Sequence, residues 1–249
     1  MTRSIFITGA SAGIGEALAL DFARRGYDLA IGARRLAWLE ALAGRLRELG
    51  AGRVLPLALD VTDHDSIKVA LERAAAEFGR LDVLVVNAGV GYTLPIGKGK
   101  LDLARQVVDT DLTGAIATIE YGLPVLRAQG GGQIVVITSV AGSRGQPFLG
   151  AYSAAKAGLH AYMQALRAEM WHEPIVVTEL APGYIRTDMN RDVKRLPFAI
   201  PVERGAATMA MLIEREVGHR YVPTWPWAFV APLLRFVPTR WLAPPPRKK

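Results

Sequence analysis

Short apolar runs alternate along this chain with longer segments of helical periodicity, and no other feature narrows its fold as much. Ser4 to Thr8 (SIFIT) reads as a strand. A helix from Gly13 to Arg25 follows and stops at Gly26, a residue suited to the left-handed turn that closes helices. Asp28 to Ala33 is the second strand, and Leu36 to Leu49 an amphipathic helix ended by Gly50. Val54 to Leu59 is the third strand, with Asp63 and Asp65 placed to favour the start of a helix running to Phe78. A strand at Val83 to Asn87, a helix around Leu101 to Arg127, a strand at Gln133 to Thr138, a helix over Ala151 to Met170 and a strand at Ile175 to Leu180 continue the series. This succession predicts an α/β protein with a doubly wound parallel sheet covered by helices on both faces. No Pro/Ser-rich linker or internal repeat divides it. Residues 1–222 read as one domain, and 223–249 as an apolar and basic C-terminal extension.

What the chain lacks removes several chemistries. With no cysteine there is no disulfide, thiolate nucleophile or zinc-cysteine site. The four histidines, His64, His160, His172 and His219, show no H-x-x-x-H or H-x-E spacing, and no metal site is expected. The net charge of +7 raises the question of nucleic acid. Through most of the chain, however, Arg and Lys interleave with Asp and Glu along helix faces, an ordinary solvated arrangement, so no nucleic-acid partner is expected. The opening MTRSIFITGA enters the first strand without a signal-peptide core, which favours a cytoplasmic protein.

The first strand runs into Thr8-Gly9-Ala10-Ser11-Ala12-Gly13-Ile14-Gly15. Glycines in a strand-to-helix turn let the backbone bend sharply and approach a diphosphate, which the helix N-terminus stabilises through its free N–H groups and dipole. The spacing, G-x-x-x-G-x-G, differs from the G-x-G-x-x-G of the common dinucleotide fingerprint and lacks the G-K-[ST] ending of a P-loop. At the end of the second strand, an acid would hydrogen-bond the ribose 2′-hydroxyl of NAD. This chain has Ala33, Arg34 and Arg35 there, and no carboxylate. Two guanidiniums suit a 2′-phosphate and favour NADP(H) over NAD(H), although arginines are also ordinary surface charges at a helix start. Further on, Tyr152 and Lys156 stand four residues apart in a helix rich in Ala, Leu and Met, and so share one face. Alone, the pair reads first as a lysine reaching past a ring to solvent, since a Y-x-x-x-K match is short and unspecific.

Together these residues resemble the short-chain dehydrogenase/reductase family in its compact single-domain form. The resemblance covers roughly Ser4 to Val222: the turn Thr8-Gly9 to Gly15, Asp60-Val61, Asn87-Ala88-Gly89, Ser139, Tyr152 with Lys156, and Pro182-Gly183, each at the end of a strand or the start of a helix. It implies a Rossmann-like fold and an NADPH-dependent carbonyl reductase or alcohol dehydrogenase. Tyr152 would give its proton to the carbonyl oxygen as hydride arrives from the nicotinamide, and Ser139 would hydrogen-bond the same oxygen. A free tyrosine, with a pKa of about 10, is poorly matched to neutral pH, and a nearby ammonium favours its ionised form. Lys156 would supply that charge and bind the nicotinamide ribose. By the same resemblance, Gly9, Ser11, Gly13, Ile14 and Gly15 hold the cofactor's diphosphate, Asp60 and Val61 lie around the adenine, Asn87 to Gly89 run along the cofactor, and Ile185 and Thr187 lie near the carboxamide after Pro182-Gly183. The helices Leu101 to Arg127 and Ala151 to Met170 would make subunit contacts in a homodimer or homotetramer. Their small residues Ala151, Ala154, Ala157 and Ala161 allow close packing, within a subunit or between two.

One position departs from the family's pattern. Asp111 stands where the family usually has an Asn that helps a water chain reach the lysine. An ionised carboxylate only accepts hydrogen bonds. Asp111 therefore supports a proton relay, pairs with Lys156, or marks a non-catalytic NADP-binding sensor or scaffold.

After Val222 the chain reads PTWPWAFVAPLLRFVPTRWLAPPPRKK, in which Arg235, Arg240, Arg247, Lys248 and Lys249 meet no acid. The apolar run Trp225 to Phe236 is broken by Pro226, Pro232 and Arg235, and is shorter than the roughly 20 residues of a membrane-spanning helix. It suits either a peripheral membrane contact or packing over the substrate cleft or a neighbouring subunit. Both agree with an apolar carbonyl substrate, a lipid-like ketone or oxoacyl group. In the segment YIRTDMNRDVKRLPFAIP, Arg191, Lys194 and Arg195 suit the phosphate or carboxylate of a carrier-linked acyl chain, or plain solvent.

Overall fold

The computed structural model describes residues 2–190 and 196–244. Six strands come where the apolar runs place them: Ser4–Thr8 (β1), Asp28–Ala33 (β2), Val54–Ala58 (β3), Val83–Val86 (β4), Gly132–Ile137 (β5) and Ile175–Pro182 (β6). Ile185–Arg186 (β7) and Ile200–Pro201 (β8) pair with each other, and His219–Val222 (β9) joins the main sheet. That sheet runs β3-β2-β1-β4-β5-β6-β9, with every pairing parallel. The helices are Gly13–Arg24 (α1), Leu36–Glu48 (α2), His64–Phe78 (α3), Leu101–Val108 (α4), Gly114–Ala128 (α5), Gly150–Glu169 (α6), Val202–Glu214 (α7) and Thr224–Leu234 (α8). This is the doubly wound, Rossmann-like sheet that the alternation predicts.

Because side chains alternate across a strand, β1 feeds two cores. Ile5 and Ile7 point to one face, with Leu18 and Phe22 of α1, Leu39 and Leu42 of α2, and Met209 of α7. Phe6 points to the other, with Ile67 and Leu71 of α3, Ile119 of α5, and Leu159 and Met163 of α6. Helix boundaries follow local chemistry. Asp63 caps α3, its side chain accepting from the N–H groups of Asp65 and Ser66, and Gly26 takes a φ of +76° just beyond α1.

Two regions depart from the sequence expectation. The single helix expected over Leu101 to Arg127 is α4 and α5 joined by a π-helical turn, Asp109–Thr113. The extra residue in that turn faces Asp111 inward, and Gly114 lets the chain pass so close to the loop after β3 that a Cβ there would lie 2.6 Å from the Val61 carbonyl oxygen. Beyond β6 the sequence reading assigned no elements, yet α7, β9 and α8 form. Pro226 falls in the first turn of α8, where a missing N–H breaks no helical bond. Among the described residues, no helix is long and apolar enough to cross a membrane.

Candidate active site

The strand order reverses between β1 and β4, which opens a crevice above their C-terminal ends. Thr8, at the end of β1, fixes its edges. Its hydroxyl donates to the Val85 carbonyl (3.2 Å) and accepts from the N–H groups of Asn87 (2.9 Å) and Ala88 (3.1 Å). The Asn87 side-chain amide donates back to the Thr8 carbonyl at 2.9 Å. Asn87 thus braces the glycine turn with its side chain, as well as lining the crevice.

In the turn itself the glycines have different tasks. Gly9, at φ +69°, lies so near β4 that a Cβ would come within 2.7 Å of the Ala88 Cα. Gly15 stands behind the wall, outside the cavity lining, where a Cβ would sit 2.4 Å from the Gly9 carbonyl oxygen; it lets α1 close on the turn. Gly13, at φ +62°, is the open one, since a Cβ there would meet only Thr187, 3.6 Å away. The first N–H groups of α1 have no side-chain cap, because Ala12 holds the N-cap position.

The resulting cavity of about 620 Å³ gathers the predicted residues along its length. Gly9, Ser11, Gly13 and Ile14 form one wall, with Arg34, Arg35, Asp60 and Val61 at the same end. An Arg35 nitrogen bonds the Ser11 hydroxyl at 3.0 Å, and its guanidinium lies over the Trp38 ring, 4.3 Å from the centroid. The Asp60 carboxylate accepts from the N–H and hydroxyl of Thr62 (3.0 and 2.8 Å), so it also builds the turn that leads to α3. Asn87, Ala88 and Gly89 line the middle. At the far end are Asp111, Ser139, Tyr152 and Lys156, with Pro182, Gly183, Ile185 and Thr187 along the opposite side.

The far end is the most charged and the most buried part. Lys156 follows Tyr152 by one turn of α6, its ammonium 5.8 Å from the ring centroid. Far from reaching past the ring to solvent, it is buried, donating to the Ile137 carbonyl at 3.3 Å and lying 3.3 Å from Oδ2 of the fully buried Asp111. The other carboxylate oxygen accepts from the Val90 N–H at 2.7 Å. Burial alone would lower the Lys156 pKa, but the charges of Asp111 and Tyr152 outweigh it and the ammonium is held above its usual range. Burial pushes the Asp111 carboxyl up, against the pull of Lys156 and the Val90 N–H. Ser139, just past β5, accepts from the Ala141 N–H at 3.1 Å, which leaves its own O–H free to donate.

A sequence profile described as short chain dehydrogenase matches residues 3–196. The chain belongs to the short-chain dehydrogenase family. An uncharacterized oxidoreductase of Mycobacterium tuberculosis is 38% identical to this short-chain dehydrogenase over 245 residues, 98% of this chain and 94% of the other. A protein of Arabidopsis thaliana named 11-beta-hydroxysteroid dehydrogenase 1A is 37% identical over 243 residues, 90% of this chain and 69% of its own. Among solved structures, an alcohol dehydrogenase of the archaeon Thermococcus sibiricus complexed with 5-hydroxy-NADP superposes with a TM-score of 0.78 at 30% identity, covering 86% of this chain and 91% of that one. This short-chain dehydrogenase is therefore an oxidoreductase acting on CH-OH groups, in a family that binds a nicotinamide cofactor. Its crevice fits such a group, with an open cradle at Gly13, uncapped N–H groups at α1 and cations at the end of β2.

Other features escaped the sequence. The cavity mouth carries Tyr92, Phe148, Tyr184, Met189 and Leu196, an apolar set drawn from three loops. Phe148 and, close by, Phe198 adopt φ of +66° and +58°, a strained backbone that bulky residues rarely take. His160 and His219, unrelated by spacing, meet on either side of the buried Glu179, their ligand atoms within 4.8 Å of one another. A guanidinium nitrogen of Arg167, 3.4 Å from that carboxylate, already brings positive charge there. The signal was available only in three dimensions, since α6, β6 and β9 supply one residue each. Arg191, Lys194 and Arg195 lie outside the described residues, as do Arg247, Lys248 and Lys249.

Proposed function

We propose that this short-chain dehydrogenase uses NADP(H) to interconvert an apolar ketone, of lipid-like or oxoacyl kind, with its secondary alcohol. The observation that carries the cofactor choice is the end of β2, where Arg34 and Arg35 border the crevice and the chain has no carboxylate at the strand end itself. A 2′-phosphate gains charge-assisted bonds from such a pair, whereas a bare 2′-hydroxyl lacks the strand-end acid that would accept from it. Arg35 is held ready by its bond to Ser11 and its stacking on Trp38. The Thermococcus relative, titled as a complex with 5-hydroxy-NADP, supports the same choice. The apolar mouth at Tyr92, Phe148, Tyr184 and Met189 supports an apolar substrate, as does the steroid in the name of the Arabidopsis relative.

The bound nicotinamide supplies or accepts the hydride; the chain does the rest. Gly9 and Gly13 with the N-terminus of α1 would hold the diphosphate, Asp60 and Val61 would border the adenine, and Ile185 and Thr187 would flank the carboxamide. Ser139 donates a hydrogen bond from its hydroxyl to the substrate carbonyl oxygen, fixing it next to Tyr152 without giving up the proton. Tyr152 gives its phenolic proton to that oxygen during reduction and takes it back during oxidation. Lys156 places a positive charge beside the phenolate as it forms, and Asp111 keeps that lysine charged within a buried site. A lysine so held favours an enzyme over a sensor, which has no use for a proton donor.

Steady-state oxidation of NADPH and NADH against short diketones, long-chain 3-oxoacyl thioesters and ketosteroids tests the reading. NADPH with the long or polycyclic members is the expected combination. Replacing Arg34 and Arg35 together (R34D, R35D) should raise the NADPH KM by at least about tenfold and narrow the preference over NADH; an unchanged preference would reject the guanidinium argument. Tyr152→Phe should lose roughly 100-fold or more in turnover while NADPH binding is retained.

A further inference from the structure

We infer that the outer face of α8 docks on an anionic lipid surface. The inner face is already used: Trp227 is 4% exposed and Ala231 fully buried, packed with Val140, Tyr184 and Tyr221. On the other side, Phe229, Leu233 and Phe236 recur at i, i+4 and i+7, and Trp225, in extended backbone just before the helical turns, packs edge-on against Phe229 (centroids 5.6 Å apart), giving one stripe in which every side chain is between 63% and 82% exposed. Trp241, in the short turn Thr239–Leu242 that follows, is as open as they are. The turn itself is tied down, since Arg144 donates to the Val237 carbonyl (3.2 Å) and the Thr239 hydroxyl (2.8 Å). A row of large apolar groups fixed in water marks an interaction surface.

Charge selects the occupant. No acid follows Glu216 in the sequence, whereas Arg235 and Arg240 stand exposed beside the stripe. A two-fold contact pairs a patch with itself, so a second copy would bring these like charges together. Anionic headgroups would instead neutralise them while the aromatic rings enter the interface. The continuous helical part of α8, residues 226–234, extends only about 14 Å, which suits a helix lying in the plane of the membrane surface.

Position gives this contact a use. The Trp227 ring meets Tyr184 of the cavity wall (centroids 5.7 Å apart) and Phe198 (6.0 Å), so the stripe begins beside the substrate mouth. A docked molecule takes an apolar ketone from the lipid without passing it through water. This last step rests on the substrate reading above; lipid binding does not.

The test is co-sedimentation of the whole protein with vesicles of phosphatidylcholine, alone or mixed with phosphatidylserine. Binding to the mixed vesicles is expected, weakened by salt and reduced at least about tenfold by Phe229→Ser with Phe236→Ser, and likewise by Arg235→Glu with Arg240→Glu. All variants should turn over a water-soluble ketone with NADPH as the parent does. Failure to bind either vesicle, or binding indifferent to the stripe, overturns the inference. So does a stripe variant that changes the molecular mass in light scattering without any vesicle binding by the parent, an outcome that assigns the face to a second copy. Loss of ketone turnover by the parent itself would count against the substrate reading alone.

Discussion

At the base of the cavity, the Lys156 ammonium and the Asp111 carboxylate lie 3.3 Å apart in a space closed to solvent, and their pairing sets how the site answers to pH. Burial favours a neutral lysine, and the neighbouring negative charge reverses that preference. Asp111→Asn removes the charge but keeps an oxygen to accept from the Val90 N–H, so the local fold is preserved. Burial then acts unopposed by Asp111, the lysine releases its proton at lower pH, and the alkaline limb of the kcat profile should move down by one unit or more, roughly 1.4 kcal/mol per unit. A pH–rate profile identical to the parent's would remove Asp111 from this role. The sequence exposes Asp111 as a departure from a family pattern but leaves three tasks open to it. Only the π-helical turn Asp109–Thr113, whose inward set depends on the close approach of Gly114 to Val61, decides that its partner is Lys156.

Between elements, the buried Glu179 of β6 ties together three pieces of the site's frame. Its Oε1 accepts from Thr138 at the end of β5 (3.0 Å) and is bonded to Nδ1 of His160, one turn beyond Lys156 on α6 (2.6 Å), while His219 faces it from β9. Burial pushes the Glu179 carboxyl up, but the hydrogen bond and charge of His160, then His219 and Thr138, outweigh it and hold the group below its ordinary 4.5. A depressed carboxylate stabilises the fold above its unfolded pKa, and the contribution is lost as pH falls through the lower folded value. Glu179→Gln should therefore cost on the order of 2 kcal/mol in urea unfolding at pH 7, and the gap to the parent should close below about pH 4.5. An equal gap at both pH values would mean that packing, not charge, is responsible. Nothing in the sequence marks Glu179, because its partners are far along the chain and their meeting is a property of strand order. By contrast, β1 to β6 and the ends that carry Ser11, Asn87 and Ser139 are legible, since apolar runs and turn residues are local signals. The elements past β6 were less so: α7 has a fair apolar period at Val202, Ala206, Met209 and Ile213, but β9 is only four residues long, Pro226 reads as a break until its first-turn position in α8 is known, and Pro232 lies within the helix.

For the molecule as a whole, the described residues of one chain line the cavity from Arg34 to Tyr184. What assembly does have available is the outer side of α6. Tyr152 and Lys156 face inward, while Ala154, Ala161, Ala165 and Ala168 are exposed along the opposite side, with Gly158 between them. Of the four alanines noted for close packing, Ala154 and Ala161 thus look outward and Ala151 and Ala157 are half-buried. A smooth helix face lets a second helix approach within about 8–10 Å, and a two-fold contact would place α6 against its own copy. Members of the family are commonly oligomeric, and we propose this face of α6 as the subunit contact. Ala161→Trp adds an indole to the centre of that face without entering either core. Light scattering on the purified variant should give a smaller assembly than the parent, and NADPH affinity should stay within about twofold because the crevice belongs to one chain. If instead the assembly survives the indole while cofactor binding falls, the α6 face is internal to the working of the site, and the contact between subunits must lie on another surface.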